Sequence, residues 1–72
     1  MKKNRNRTFG NYIIIRTSPD GTNCAYYNWA ADGFIEDRSN ATGYHSKQDA
    51  EIAITVIKVE DPGYTFTVEL DK

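Results

Sequence analysis

Apolar and polar residues alternate most strictly near the C-terminus. Tyr64, Phe66, Val68 and Leu70 fall on one side of an extended chain, and Thr65, Thr67 and Glu69 on the other. This two-residue period predicts a strand over Tyr64–Leu70. Phe9–Thr17, with Tyr12-Ile13-Ile14-Ile15 at its heart, reads as a first strand. Asn23–Ala30 reads as a second, placing Cys24, Tyr26, Asn28 and Ala30 on one face and Ala25, Tyr27 and Trp29 on the other. Phe34–Arg38 reads as a third. Ser18-Pro19-Asp20-Gly21 and Asp32-Gly33 carry strong turn chemistry between them.

The rhythm changes once. Ala50, Ala53, Ile54 and Ile57 recur at spacings of three and four, one apolar stripe that Ile52, Val56 and Val59 widen. The pattern predicts a single helix over Lys47–Val59. Ser46 is placed as its N-cap, with Asp49 three residues on in a capping-box-like position. Asp61-Pro62-Gly63 stops it. The run Ile54-Thr55-Val56-Ile57-Lys58-Val59 is mostly β-branched, so a shorter helix followed by a strand from Ile54 competes with this reading.

The order is therefore β-β-β-α-β, an α+β fold in which one helix packs on one face of a three- to four-stranded antiparallel sheet. The fourth strand either joins that sheet or pairs with another copy. Strand one is apolar on both faces, and one helix covers only one. The other face, rich in aromatic residues, is expected to be an interface, unless loops and the N-terminal tail fold over it. The candidate protein-interface residues are Tyr12, Ile14, Tyr26, Tyr27, Trp29, Tyr64 and Phe66, and a homodimer is the simplest partner arrangement.

Charge divides the 72 residues unevenly. Net charge is −1, from nine basic and ten acidic side chains. Lys2, Lys3, Arg5 and Arg7 precede residue 8 with no acid among them, which leaves five basic against ten acidic residues over 8–72, a net of −5. We read residues 1–8 as a basic flexible tail and 9–72 as one small domain. A chain this short buries a limited core, for which oligomerisation is a common remedy. With Cys24 as the only cysteine, no internal disulfide forms. The longest apolar run, Tyr12–Ile15, is too short to span a membrane, and no apolar stretch follows the basic start. A cytoplasmic placement is expected.

Candidate chemistry is sparse. His45 and Cys24 stand alone as metal ligands, where three or four are needed, and as a nucleophile–base pair they lack an orienting third residue. Glu36 and Asp37 point to opposite faces of a strand. No metal, no cofactor and no catalysis is expected. A second functional reading is nucleic-acid binding through Lys2, Lys3, Arg5, Arg7 and Arg16, with the aromatic strands stacking bases. The acids Asp20, Asp32, Glu36 and Asp37 in the same region oppose it.

Tyr26-Tyr27-Asn28-Trp29, then Asp32-Gly33-Phe34-Ile35, then Gly43-Tyr44-His45-Ser46-Lys47 with Ala50, Ala53, Ile54 and the Val56-Ile57-Lys58 step together resemble the YegP-like family of small uncharacterised domains. The similarity spans roughly residues 11–70, and the Gly-Tyr-x-Ser-Lys stretch is its most specific part. Ile54 keeps the apolar position, but Ile54 and Thr55 replace more helix-friendly residues, Glu60-Asp61-Pro62 replaces the family's usual Asn-Ala-Pro stop, and the basic tail is not typical of the family. The resemblance implies a compact β-β-β-α-β unit, often paired as a dimer or tandem repeat, and supplies no catalytic residues. The expected function is that of a small non-enzymatic interaction module that self-associates and binds protein.

Overall fold

The computed structural model describes residues 10–58 and 63–71. The elements follow the predicted order: β1 (Tyr12–Thr17), β2 (Cys24–Asn28), β3 (Gly33–Ile35), a 3-10 turn (Arg38–Asn40), α1 (Lys47–Ile57) and β4 (Thr65–Leu70). The strands form one antiparallel sheet in the order β3-β2-β1-β4. The fold is α+β, and β4 joins the sheet of its own chain beside β1.

Register sorts the side chains. Ile14 faces Val68 and Arg16 faces both Phe66 and Ala25 across the ladders, while Ile15 faces Thr67 and Tyr26. Directly opposed residues share a face. Tyr12, Ile14, Arg16, Tyr27, Phe34, Phe66, Val68 and Leu70 therefore lie on one face. Ile13, Ile15, Thr17, Cys24, Tyr26, Thr67 and Glu69 lie on the other.

Helix α1 covers the first face. The Ser46 hydroxyl accepts the Asp49 N–H at 3.1 Å, the predicted cap. Ala50 is fully buried, and Ala53, Ile54 and Ile57 are half-buried. Ile52 and Val56 do not widen this stripe: they are 58% and 70% exposed. At about 100° per residue they sit well around the helix from Ala50 and Ile54. The β-branched run remains helical to Ile57, which excludes a strand from Ile54. Packing of the small-residue face overrides weak propensity, and the Thr55 hydroxyl is satisfied by the Ile52 carbonyl at 2.6 Å. Val59 and the Asp61-Pro62 stop lie outside the described residues.

The second face is not bare. Strand three ends at Ile35, short of the predicted Arg38, because the Asp37 carboxylate accepts from the Ser39 N–H (3.0 Å), the Ser39 hydroxyl (2.7 Å) and the Asn40 amide (2.7 Å). These local bonds compete with the ladder and turn the chain back. Residues 37–43 then run as a strap across this face. Ala41 packs with Ile13, Ile15 and Tyr26. Arg38 bonds Glu69 at 3.0 Å and Asp71 at 3.1 Å, so it ties the strap to the end of β4. Beyond it, the Thr42 N–H donates to the Tyr27 carbonyl, and the Thr42 hydroxyl accepts the Trp29 N–H, both at 2.9 Å. Tyr44 bridges Tyr12, donating at 2.7 Å and accepting at 3.2 Å. Residues 42–44 thus wedge between the start of β1 and the end of β2.

The β2–β3 connection differs from a two-residue Asp-Gly hairpin. It is a four-residue turn, Trp29–Asp32, closed by the Asp32 N–H on the Trp29 carbonyl at 3.1 Å. Asp32 takes φ 55°, the left-handed conformation that Asp tolerates in such turns. Buried Asn28 decides the geometry. Its side-chain oxygen accepts the Ala31 N–H at 2.8 Å, and its amide donates to the Asn40 carbonyl at 2.6 Å.

Candidate functional site

The aromatic residues gather on the helix-covered face. Tyr27 from β2 meets Phe34 from β3 edge-on at 5.5 Å between ring centroids, and Phe34 meets Phe66 from β4 at 5.9 Å. The Arg16 guanidinium lies 4.5 Å from the centroid of Phe34 and 4.6 Å from that of Tyr64, so its cation is held by two ring faces. An open groove of about 500 Å³ beside it is lined by Arg16, Thr22, Cys24, Phe34, Glu36 and Tyr64.

The seven predicted interface residues do not form one surface. Ile14 has no exposed area and cannot touch a partner in this fold. Tyr27 and Phe66 contribute to the aromatic cluster on the helix side, as does Tyr64 through Arg16. Tyr12 shares that face at the start of β1, bridged to Tyr44. Tyr26 alone is on the strap side, half-buried, with Arg38 5.7 Å from its ring centroid. Trp29 lies past the end of β2, in the turn, and is 56% exposed. The expected bare aromatic face is thus divided between helix and strap.

Of the basic residues considered for nucleic acid, Lys2, Lys3, Arg5 and Arg7, like the whole 1–8 tail, lie outside the described residues. Arg16 is engaged by Phe34 and Tyr64. Arg38, on the other face, is held protonated further above its usual range by hydrogen bonds to Glu69 first and Asp71 second.

Cys24 and His45 stand at opposite ends of β1. Thr17 pairs with Cys24, its hydroxyl 3.8 Å from Sγ, whereas Tyr12 pairs with Tyr44, the neighbour of His45. Five residue-to-residue steps along β1 separate the two ends, about 16 Å, too far for proton transfer. Among the described residues no group of three or more His, Cys, Asp or Glu could hold a metal ion. No helix among them is long and apolar enough to cross a membrane.

One feature invisible to side-chain patterning is the outer edge of β4. The Tyr12 N–H and carbonyl both turn towards Tyr44, so the Tyr12–Leu70 pair exchanges no ladder bond. The next pair along is bonded, with the Asp71 N–H on the Asn11 carbonyl at 2.7 Å. Antiparallel ladders alternate. Glu69, Thr67 and Thr65 therefore bond inwards to β1, and the N–H and carbonyl groups of Phe66, Val68 and Leu70 point outwards. No backbone or side chain among the described residues takes them. Alternation identified β4 but not its place at the edge, which depends on sheet order.

Searched against known proteins, the chain matches no family model, no curated protein and no solved structure.

Proposed function

We propose that this protein is a small non-enzymatic module that binds protein by adding a strand to the open edge of β4. The single observation that carries this reading is the row of outward N–H and carbonyl groups on Phe66, Val68 and Leu70. Such an edge accepts an extended segment through main-chain hydrogen bonds. The edge lacks the usual guards: β4 contains no lysine, proline or bulge, and its one charge, Glu69, is engaged by Arg38. The opposite edge, β3, has three residues and offers far less to pair with. Self-association and kinship with YegP-like domains belong to the same proposal, supported by the β-β-β-α-β order and the Gly43–Lys47 stretch. A cytoplasmic setting fits the single unpaired cysteine.

Amide hydrogen exchange tests it. A protein partner is expected to slow exchange at Phe66, Val68 and Leu70 while leaving Glu69 and Thr67, already bonded to β1, unchanged. A partner that binds tightly and leaves those three amides exchanging freely would place the contact elsewhere and overturn the reading.

A further inference from the structure

We infer that the strand received by β4 is β4 of a second copy, antiparallel, with a two-fold axis through Val68. The inference rests on the strand-addition reading above and commits it to one partner.

The edge is self-complementary. In an antiparallel pair, outward-bonding residues must face outward-bonding residues. An axis at Val68 sets Val68 against Val68 of the second copy, and Phe66 against Leu70 of the second copy, twice. All three outward N–H groups and all three carbonyls of each chain are then satisfied. The faces also match. Leu70, 47% exposed, gains Phe66 of the second copy on the helix side. On the strap side, Glu69 lies opposite Thr67 of the second copy.

The neighbouring registers are worse. An axis at Glu69 sets two carboxylates directly opposite each other, which is destabilising. An axis at Thr67 sets Leu70 against Tyr64, which precedes β4. The helix does not obstruct the approach. A groove of about 430 Å³ runs between α1 and this edge, lined by Lys47, Glu51, Ile54, Phe66 and Val68, and it leaves space for incoming side chains. The product is one continuous eight-stranded sheet whose remaining edges are the two short β3 strands.

Single-cysteine variants in a Cys24→Ser background read the register. Val68→Cys is expected to form a disulfide-linked dimer on mild oxidation, since bonded antiparallel pairs bring Cα atoms to about 5.5 Å. Phe66→Cys alone and Leu70→Cys alone should not cross-link, because each lies about 13 Å from its own copy. An equal mixture of the two should. Sedimentation equilibrium of the unmodified chain is expected to show a dimer, with Phe66, Val68 and Leu70 amides protected in proportion to dimer. Leu70→Pro removes one outward donor per chain without touching the β1 ladder, and should weaken association about tenfold or more.

A dimer whose three amides exchange freely, or one in which Phe66→Cys cross-links and Val68→Cys does not, overturns the inference. A chain that stays monomeric at millimolar concentration also overturns it. If a synthetic peptide of residues 63–72 or an unrelated extended peptide then protects the three amides of that monomer, the strand-addition reading survives without the dimer. If neither peptide does so, both fall.

Discussion

Ile13 and Ile14 are adjacent in the chain, both have no exposed surface, and they are buried on opposite faces of β1. Ile14 lies beneath α1. Ile13 lies beneath the strap, with Ile15 and Ala41. A strand buried on both faces requires two covers, and in this chain the second cover is a loop of seven residues.

The two covers should be comparably strong. Ile13→Ala and Ile14→Ala are each expected to destabilise the fold by about 2–5 kcal/mol, the cost of an isoleucine-sized cavity. Urea unfolding of both variants measures this. A loss at Ile13 far smaller than at Ile14 would show that the strap does not pack as a core element.

Asn28 holds that strap to the β2–β3 turn with two bonds of 2.6 and 2.8 Å. Asn28→Ala strands the Asn40 carbonyl and the Ala31 N–H, and should cost about 1–3 kcal/mol. Asn28→Asp keeps the acceptor for Ala31 but, when ionised, loses the donor to Asn40; only its protonated carboxyl offers an O–H in that place. Denaturation midpoints should rank it between wild type and Asn28→Ala at a pH where the new carboxyl is protonated.

Gly10 marks a close backbone approach. A Cβ there would sit 2.3 Å from the Tyr44 carbonyl oxygen. Gly10→Ala must push the wedge away from β1, costing about 1–3 kcal/mol. Faster exchange of the Tyr12 and Tyr44 amides is the local signature. Unchanged exchange at both would refute the contact.

Acid should loosen the turns first. Asp20 is held down at about 2, against an ordinary 3.8, chiefly by the Ser18 hydroxyl and then by Thr22. Asp37 is lowered chiefly by the Ser39 hydroxyl and then by its N–H. A depressed carboxyl contributes stability that is present above its unfolded pKa and is lost as pH falls through the folded one. Stability is thus expected to decline from about pH 4 to about pH 2. Replacing Asp20 and Asp37 with Asn should flatten that decline in unfolding experiments across this range, and an unaltered slope would count against the assignment.

Exposed apolar positions on α1 give the contrast. Val56→Lys and Ile52→Gln should each change stability by less than about 0.5 kcal/mol, while Ile54→Ala, facing the sheet, should cost clearly more. Thermal unfolding separates the three.

How much of this was legible beforehand depends on the range of the interactions involved. The alternation of Tyr64–Leu70, the stripe through Ala50, Ala53, Ile54 and Ile57, and the Ser46 cap are local. Each is set by backbone geometry repeating over a few residues, so the element order and the α+β class could be read directly. The stripe is narrower than its apolar composition suggests: Ile52 and Val56 are apolar, but their angular positions turn them away from the face that Ala50 and Ile54 set against the sheet.

What tertiary structure alone decided is non-local. Asp37 diverts the chain from β3 into a strap, and Arg38 finds Glu69 and Asp71, 31 and 33 residues away. No spacing rule couples positions so distant. The same holds for the candidate site. Composition placed the aromatic residues in the strands, but their division between helix and strap follows from the register of β1 with β2 and β4. The outward groups of β4 exist because β4 is last in the order β3-β2-β1-β4. Every residue carries the same backbone donor and acceptor, so which of them is left open is decided by assembly of the sheet and not by residue type.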